Sequence, residues 1–340
     1  MRKYLTGMMA ALALSAPLSA DEPQWQEDMP DTHTVVKGDT LWDISETFLK
    51  NPWLWPEIWH VNAQIANPHL IYPGDVIRLI YLDGEKRLTL DTSGRIFKLE
   101  PKAHVVSQGE AIETIPLDEI NSFLSRSRVV SEQELQLAPY VISGLNEHLI
   151  VGAGDKAYVR GSVDGENTGY GIYREGEVYI DPVTDEFLGV QAIDIGSGMI
   201  ERVNGEISTM AVTRTTEEMR IGDRLLRDEE RSIDSTFFPS SPLGDVEGQI
   251  LAVEGGVNQV GKLDVVVINR GSREQLEVGN VLAIFKRGNH ITDRVTGDRV
   301  KLPDERAGLV MVFRTFEKVS LALVMDAEQG ISVEDIVRNP

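Results

Sequence analysis

Two short stretches decide how the N-terminal part of this chain folds: Val35-Val36-Lys37-Gly38-Asp39-Thr40-Leu41-Trp42-Asp43-Ile44-Ser45 and Ile71-Tyr72-Pro73-Gly74-Asp75-Val76-Ile77. In the first, His33 to Lys37 reads as a strand, and Gly38-Asp39 as the turn that ends it. Thr40 is placed to cap a helix, with Asp43 as the acidic half of a capping box. Leu41, Ile44 and Phe48 then share one helical face, and Asn51-Pro52 stops the helix. Pro56 suits the first turn of a second helix, whose buried side is Ile58, Trp59 and Val61. In the second stretch Pro73 and Gly74 take the central positions of a type II turn, and Val76 to Ile80 is the closing strand. The order strand, helix, helix, strand predicts a small α+β (βααβ) unit over residues 33–82.

All five tryptophans (Trp25, Trp42, Trp53, Trp55, Trp59) lie in or just before this unit, so a domain boundary follows it. The chain has 340 residues, no cysteine, and 54 acidic against 33 basic side chains, a formal charge of −21. A surface this acidic cannot neutralise phosphates with Lys and Arg, which argues against a nucleic-acid binder. Without cysteine there is no disulfide framework, thiol nucleophile or Cys-ligated zinc.

The first twenty residues, MRKYLTGMMAALALSAPLSA, place Arg2 and Lys3 before an apolar run that ends at small residues. That order predicts a signal peptide (1–20) cleaved after Ala20, hence export to the periplasm. The run is too short for a membrane anchor and is broken by Pro17. No transmembrane segment is expected in the mature protein. Removing Arg2 and Lys3 leaves 31 bases against 54 acids, or −23. Residues 21–32 read as a flexible acidic lead-in.

Residues 83–143 read as a mixed connector. Asp83-Gly84 is a turn pair. Leu117, Ile120, Phe123 and Leu124 have helical spacing, and Ser131 with Glu134 opens a second short helix that runs to Leu137 before Pro139. From His148 onward, short apolar runs (HLIV, KAYV, EVYI, LDVVVIN, VLAIFK, GLVMVF, SLALVM) recur between Gly, Asp and Asn turns. This spacing predicts a mainly-β region of two small barrel- or sandwich-like units. Ala307 to Met325 approaches membrane length but contains Arg314, Glu317 and Lys318, and reads as two buried strands. Ala211 to Leu226 weakly repeats in Val267 to Phe285, and the polar stretch Asp228 to Asp245 separates the copies. The first β domain is therefore set at 144–240 and the second at 241–340. The whole is a multidomain chain: a βααβ unit, a helical linker region and a mainly-β C-terminal region.

The pattern V-x-x-G-D-T-L-x-x-I-S at Val35 to Ser45, Asn62, and I-x-P-G-D-x-I at Ile71 to Ile77 resembles the LysM domain, a peptidoglycan- and chitin-binding module. One departure is Pro52-Trp53-Leu54-Trp55-Pro56, a longer and more aromatic helix connection than is usual in that family. The resemblance implies a shallow groove for N-acetylated glycan, such as a strand containing N-acetylglucosamine. Gly38, Asp39, Thr40 and Leu41 would form one side, and Asn67, Pro68, His69, Leu70, Ile71 and Tyr72 the other. Backbone groups of two loops can meet the acetamido donor and acceptor while apolar side chains pack on the sugar faces. The plainer roles are turn and cap for Gly38, Asp39 and Thr40, and core for Leu41. Trp53 and Trp55 either stack on sugar or pack between helices.

No catalytic set accompanies this unit. The six histidines (33, 60, 69, 104, 148 and 290) lack zinc spacing, and neither Gly-x-Ser-x-Gly nor Ser-x-x-Lys occurs. Asp164-Gly165-Glu166-Asn167 lacks the ligand order of a calcium loop and reads as a solvated turn. The chain is expected to be no enzyme and to carry no cofactor or metal. Arg160, Arg270 and Arg314 either anchor a partner or pair with nearby carboxylates, the second being the commoner fate of such residues.

Beyond the first unit, the segments Leu99–Val105, Ala111–Val130, Ala138–Val141, the KAYVRG run, the stretch near 267–288, and Leu302–Met325 are similar to the type IV pilus secretin-associated proteins. The last part also resembles the C-terminal domain of flagellar assembly protein T. These resemblances imply a protein whose LysM domain holds the cell wall while its β region meets an outer-membrane secretin. Two other readings stay open: a cell-wall hydrolase or activator of one, and a general periplasmic scaffold.

Overall fold

The computed structural model describes residues 22–59, 71–91, 128–145, 151–227, 237–254 and 260–340. The first unit is built on strand β1 (Thr32–Thr34), helix α1 (Leu41–Phe48), a 3-10 turn at Pro52–Leu54, helix α2 (Trp55–Ile58) and strand β2 (Val76–Leu82). Strand β3 (Glu85–Leu90) was read as connector, but it pairs antiparallel with β2 and extends the sheet to three strands in the order β1-β2-β3. The turn between them uses Asp83 and Gly84, both at positive φ, as a two-residue hairpin requires. Leu88 buries its side chain under this sheet, so the third strand contributes core.

The acidic lead-in is tied down as well. Gln26 N donates to Phe48 O (2.9 Å), Lys50 N to Gln24 O (2.7 Å) and Gln24 N to the Asn51 side chain (2.8 Å). The end of α1 thus gains partners for its backbone, and the segment from Glu22 is ordered against it.

The second unit begins earlier than the sequence pattern places it. Strand β4 (Arg128–Val130), helix α3 (Glu132–Leu137) and strand β5 (Tyr140–Gly144) join the sheet formed by β6 (Lys156–Arg160), β7 (Gly169–Ile180), β8 (Phe187–Asn204), β9 (Ile207–Thr215) and β10 (Arg224–Arg227). Ser131 opens α3 by accepting the Glu134 amide at 3.1 Å. The helix expected over Leu117–Leu124 lies outside the described residues. Strand β8 pairs with β7 along most of its length and with β9 along its C-terminal half, which closes six strands into a ring. Gly196 and Gly198 permit that close approach: a Cβ at either would fall within 3 Å of the β9 backbone, at Arg214 O or Ala211 O.

The third unit is a closed barrel in the order β11-β12-β17-β16-β13-β18. Its strands are β11 (Glu247–Val253), β12 (Val265–Ile268), β13 (Val281–Lys286), β16 (Glu305–Thr315), β17 (Ser320–Ala327) and β18 (Ile336–Arg338), and a separate pair, β14 (His290–Thr292) and β15 (Arg299–Lys301), projects between β13 and β16. Apolar runs such as VVVI and LALVM look unlike half-exposed strands because both of their faces are buried. Val266, Ile268, Leu282, Ile284, Val310, Val312, Ala322 and Val324 fill the barrel. Their neighbours Val265, Val267, Val281, Ala283, Leu309, Met311, Leu321 and Leu323 point outward into a second core shared with the first unit and with Tyr179 and Leu188 of the second.

Three kinds of contact join the units. Trp55 meets Phe238, Arg306 lies over the Trp53 ring, and Lys262 faces Asp43 (3.6 Å) and Glu46 (3.8 Å) of α1. Glu186, in the β7–β8 turn, takes hydrogen bonds from Arg273 and Lys318 of the barrel, each at 2.8 Å, and these hold its carboxyl down at about 2.

One turn recurs in all three units and gives six aspartates a structural role. At 36–39, 72–75, 152–155, 220–223, 261–264, 277–280 and 332–335 the third residue has positive φ, and the fourth is Asp or Asn. The fourth side chain accepts the backbone N–H of the first at 2.7–3.1 Å in each case. The weak sequence repeat includes two of these turns, Arg220–Asp223 and Glu277–Asn280, and the other five share the same chemistry. Glycine holds the left-handed position in five of them, but Leu263 and Glu334 hold it in the remaining two.

Candidate glycan-binding site

The site is built on two of those turns. In the first, Gly38 sits at φ +98°, Asp39 N donates to Val36 O (3.2 Å), and Asp39 Oδ2 accepts Val36 N at 3.0 Å while facing His33 Nε2 at 2.9 Å. In the second, Gly74 sits at φ +96°, Asp75 N donates to Tyr72 O (3.0 Å), and the Asp75 carboxylate accepts Tyr72 N (3.1 Å). Two bonds lock the turns together: Val35 N to Asp75 O at 2.9 Å and Gly74 N to Val35 O at 2.8 Å. A sequence separation of nearly forty residues thus becomes one continuous, fixed edge.

Of the residues expected to meet glycan, Gly38 is exposed, and Asp39 and Tyr72 are half-buried. Thr40 is buried as the N-cap of α1: its hydroxyl accepts Asp43 N (3.2 Å), and Asp43 Oδ2 accepts Thr40 N (3.2 Å). Leu41 and Ile71 are sealed in the core. These three shape the edge from beneath, and their side chains are closed to solvent. Asn67, Pro68, His69 and Leu70 lie outside the described residues. Two exposed neighbours were not singled out from the sequence: Val36, exposed just after β1 while Val35 is buried, and Pro73. Strand alternation at Val35-Val36 carried that signal.

Trp53 and Trp55 are both buried, and neither offers a ring for sugar. The longer aromatic connection serves the contact with the barrel, through Arg306 and Phe238.

Elsewhere, Asp164 is bound by Tyr170 and Arg227, and among the described residues no group of three or more His, Asp or Glu could hold a metal ion. Burial raises the Tyr170 hydroxyl above its ordinary range. Arg160 pairs with Glu206 (3.4 Å) and Arg270 with Asp181 (3.5 Å), while Arg314 lies over the Phe316 ring. No helix among the described residues is long and apolar enough to cross a membrane.

Residues 33–79 match the family model of the LysM domain, which defines the N-terminal unit as a module of the peptidoglycan-binding class. Over 60 residues the chain is 38% identical to the uncharacterized protein YqbP of Bacillus subtilis (strain 168), a match covering 15% of this chain and 27% of that protein. The shared region is therefore about a quarter of that relative's length.

Proposed function

We propose that this protein is a non-catalytic cell-wall anchor of the periplasm, which holds peptidoglycan glycan with its LysM unit and presents its β region to an envelope complex. The carrying observation is the locked pair of turns, Val36–Asp39 and Tyr72–Asp75, within residues that match the LysM family. Their exposed backbone at Lys37, Gly38 and Gly74 suits the acetamido groups of N-acetylated sugars, and Val36 and Pro73 suit the sugar faces.

Two features support an anchor. The leader-like first twenty residues agree with export. The core shared by α1, the Trp53–Trp55 segment and the barrel's outer wall would pass a pull on the β region directly to the wall-binding unit. The partner we favour is a type IV pilus outer-membrane secretin, because the segments from Leu99 to Met325 are similar in text to proteins associated with it.

Co-sedimentation with purified sacculi tests wall binding, and in-cell crosslinking from the barrel tests the partner. A hydrolase would clear a sacculus suspension, whereas an anchor leaves its turbidity unchanged. Recovery of crosslinks to other envelope proteins without a secretin would favour a general scaffold.

A further inference from the structure

The β14–β15 hairpin is unlike the rest of the molecule. Residues 290–301 hold three bases (Arg294, Arg299, Lys301) and two acids (Asp293, Asp298), a net of +1 in a chain of −21. Arg294 and Arg299 are exposed and make no ion pair among the described residues, whereas Lys301 meets Asp304 at 3.2 Å.

The hairpin also exposes apolar side chains. Ile291 and Val300 are directly paired across the strands, Leu302 lies two residues on from Val300, and Val295 at the tip is 93% exposed. By strand alternation, Ile291, Val300 and Leu302 share one face, while His290, Thr292, Arg299 and Lys301 share the other. None of the four apolar residues belongs to a core cluster among the described residues.

We propose that this hairpin docks on an anionic lipid surface, the apolar face and Val295 entering the acyl boundary and the arginines resting at the phosphates. The charge complementarity is local, since the remainder of the chain carries −22 and would be repelled. A soluble polyanion would use the cations and leave Ile291, Val295, Val300 and Leu302 in water. Strands of three residues offer too short a ladder to add to a partner sheet. A bilayer interface takes both faces at once.

The test is flotation of the purified full chain with phosphatidylcholine–phosphatidylglycerol vesicles, beside pure phosphatidylcholine vesicles. Binding should require phosphatidylglycerol and weaken with salt. The double variant Arg294→Gln/Arg299→Gln should bind roughly thirtyfold more weakly, and Val295→Ser, which leaves the charge unchanged, should weaken binding at the same salt. Neither change touches a core side chain, so unfolding temperature should not move. Failure to float with the mixed vesicles, equal flotation with both lipids, or unaltered binding by the variants would each overturn the proposal. Sacculus binding of the same variants should match the parent, which separates this site from the LysM edge.

Discussion

The Trp55 indole and the Phe238 ring meet with centroids 5.8 Å apart and planes inclined by 37°. Trp55 is buried in the LysM unit, while Phe238 belongs to the segment that joins the barrel through the Ser240–Asn280 bridge. A double-mutant cycle with Trp55→Phe and Phe238→Ala should give a coupling energy of about 1 kcal/mol. A value near zero in denaturant unfolding would mean that this ring contact does not couple the two units.

On helix α1, Glu46 is held above its ordinary value of 4.5 by partial burial, with Lys262 opposing the shift and Asp326 and Asp43 adding to it. A carboxyl whose folded value is raised binds its proton more tightly in the folded state, so stability falls as pH rises through the range just above 4.5. Glu46→Gln should raise the unfolding temperature at pH 7 and leave it unchanged at pH 4. Calorimetry at the two pH values checks this, and a lower unfolding temperature at pH 7 would contradict it.

Glu334 is exposed and holds φ +70° in a turn where five equivalent positions are glycine. Glu334→Gly relieves the left-handed conformation and should stabilise the chain by about 1 kcal/mol, net of the extra freedom that glycine gives the unfolded state. Urea unfolding reads the change. Leu263 is the poorer test, because its side chain also packs on the shared core.

Much of this turn chemistry was legible in the sequence. Gly38-Asp39, Gly74-Asp75 and the Thr40–Asp43 cap depend on neighbours in the chain, so local rules place them. The run near Val265 announced an apolar strand and Ala307 to Met325 two buried strands, but not what covers their outer side, since that partner is Trp53, Trp55 and Phe48, more than two hundred residues away. The same limit hid the role of the two tryptophans and the closure of β8 on β9. Strand β3 was missed because Lys86 and Arg87 look like a solvated connector, although Leu88 between them and Leu90 fills the core.

Thr40 separates the structural role from the ligand-contact role at the candidate site. Its hydroxyl is engaged with Asp43 and buried, so Thr40→Ser should keep both stability and sacculus binding, whereas Thr40→Ala should cost about 1 kcal/mol of stability. Loss of sacculus binding by Thr40→Ser at unchanged stability would instead place the Thr40 methyl on the glycan.

The proposed LysM edge grips glycan through backbone groups and apolar contacts. Residues 33–82 hold five acids and three bases, a net of −2, so ion pairing should contribute little. The direct measurement is co-sedimentation of the purified chain with sacculi across a salt series. The chain should pellet with sacculi, and the bound fraction should stay constant from low to moderate salt. A chain that remains in the supernatant, or one released as salt rises, would contradict it.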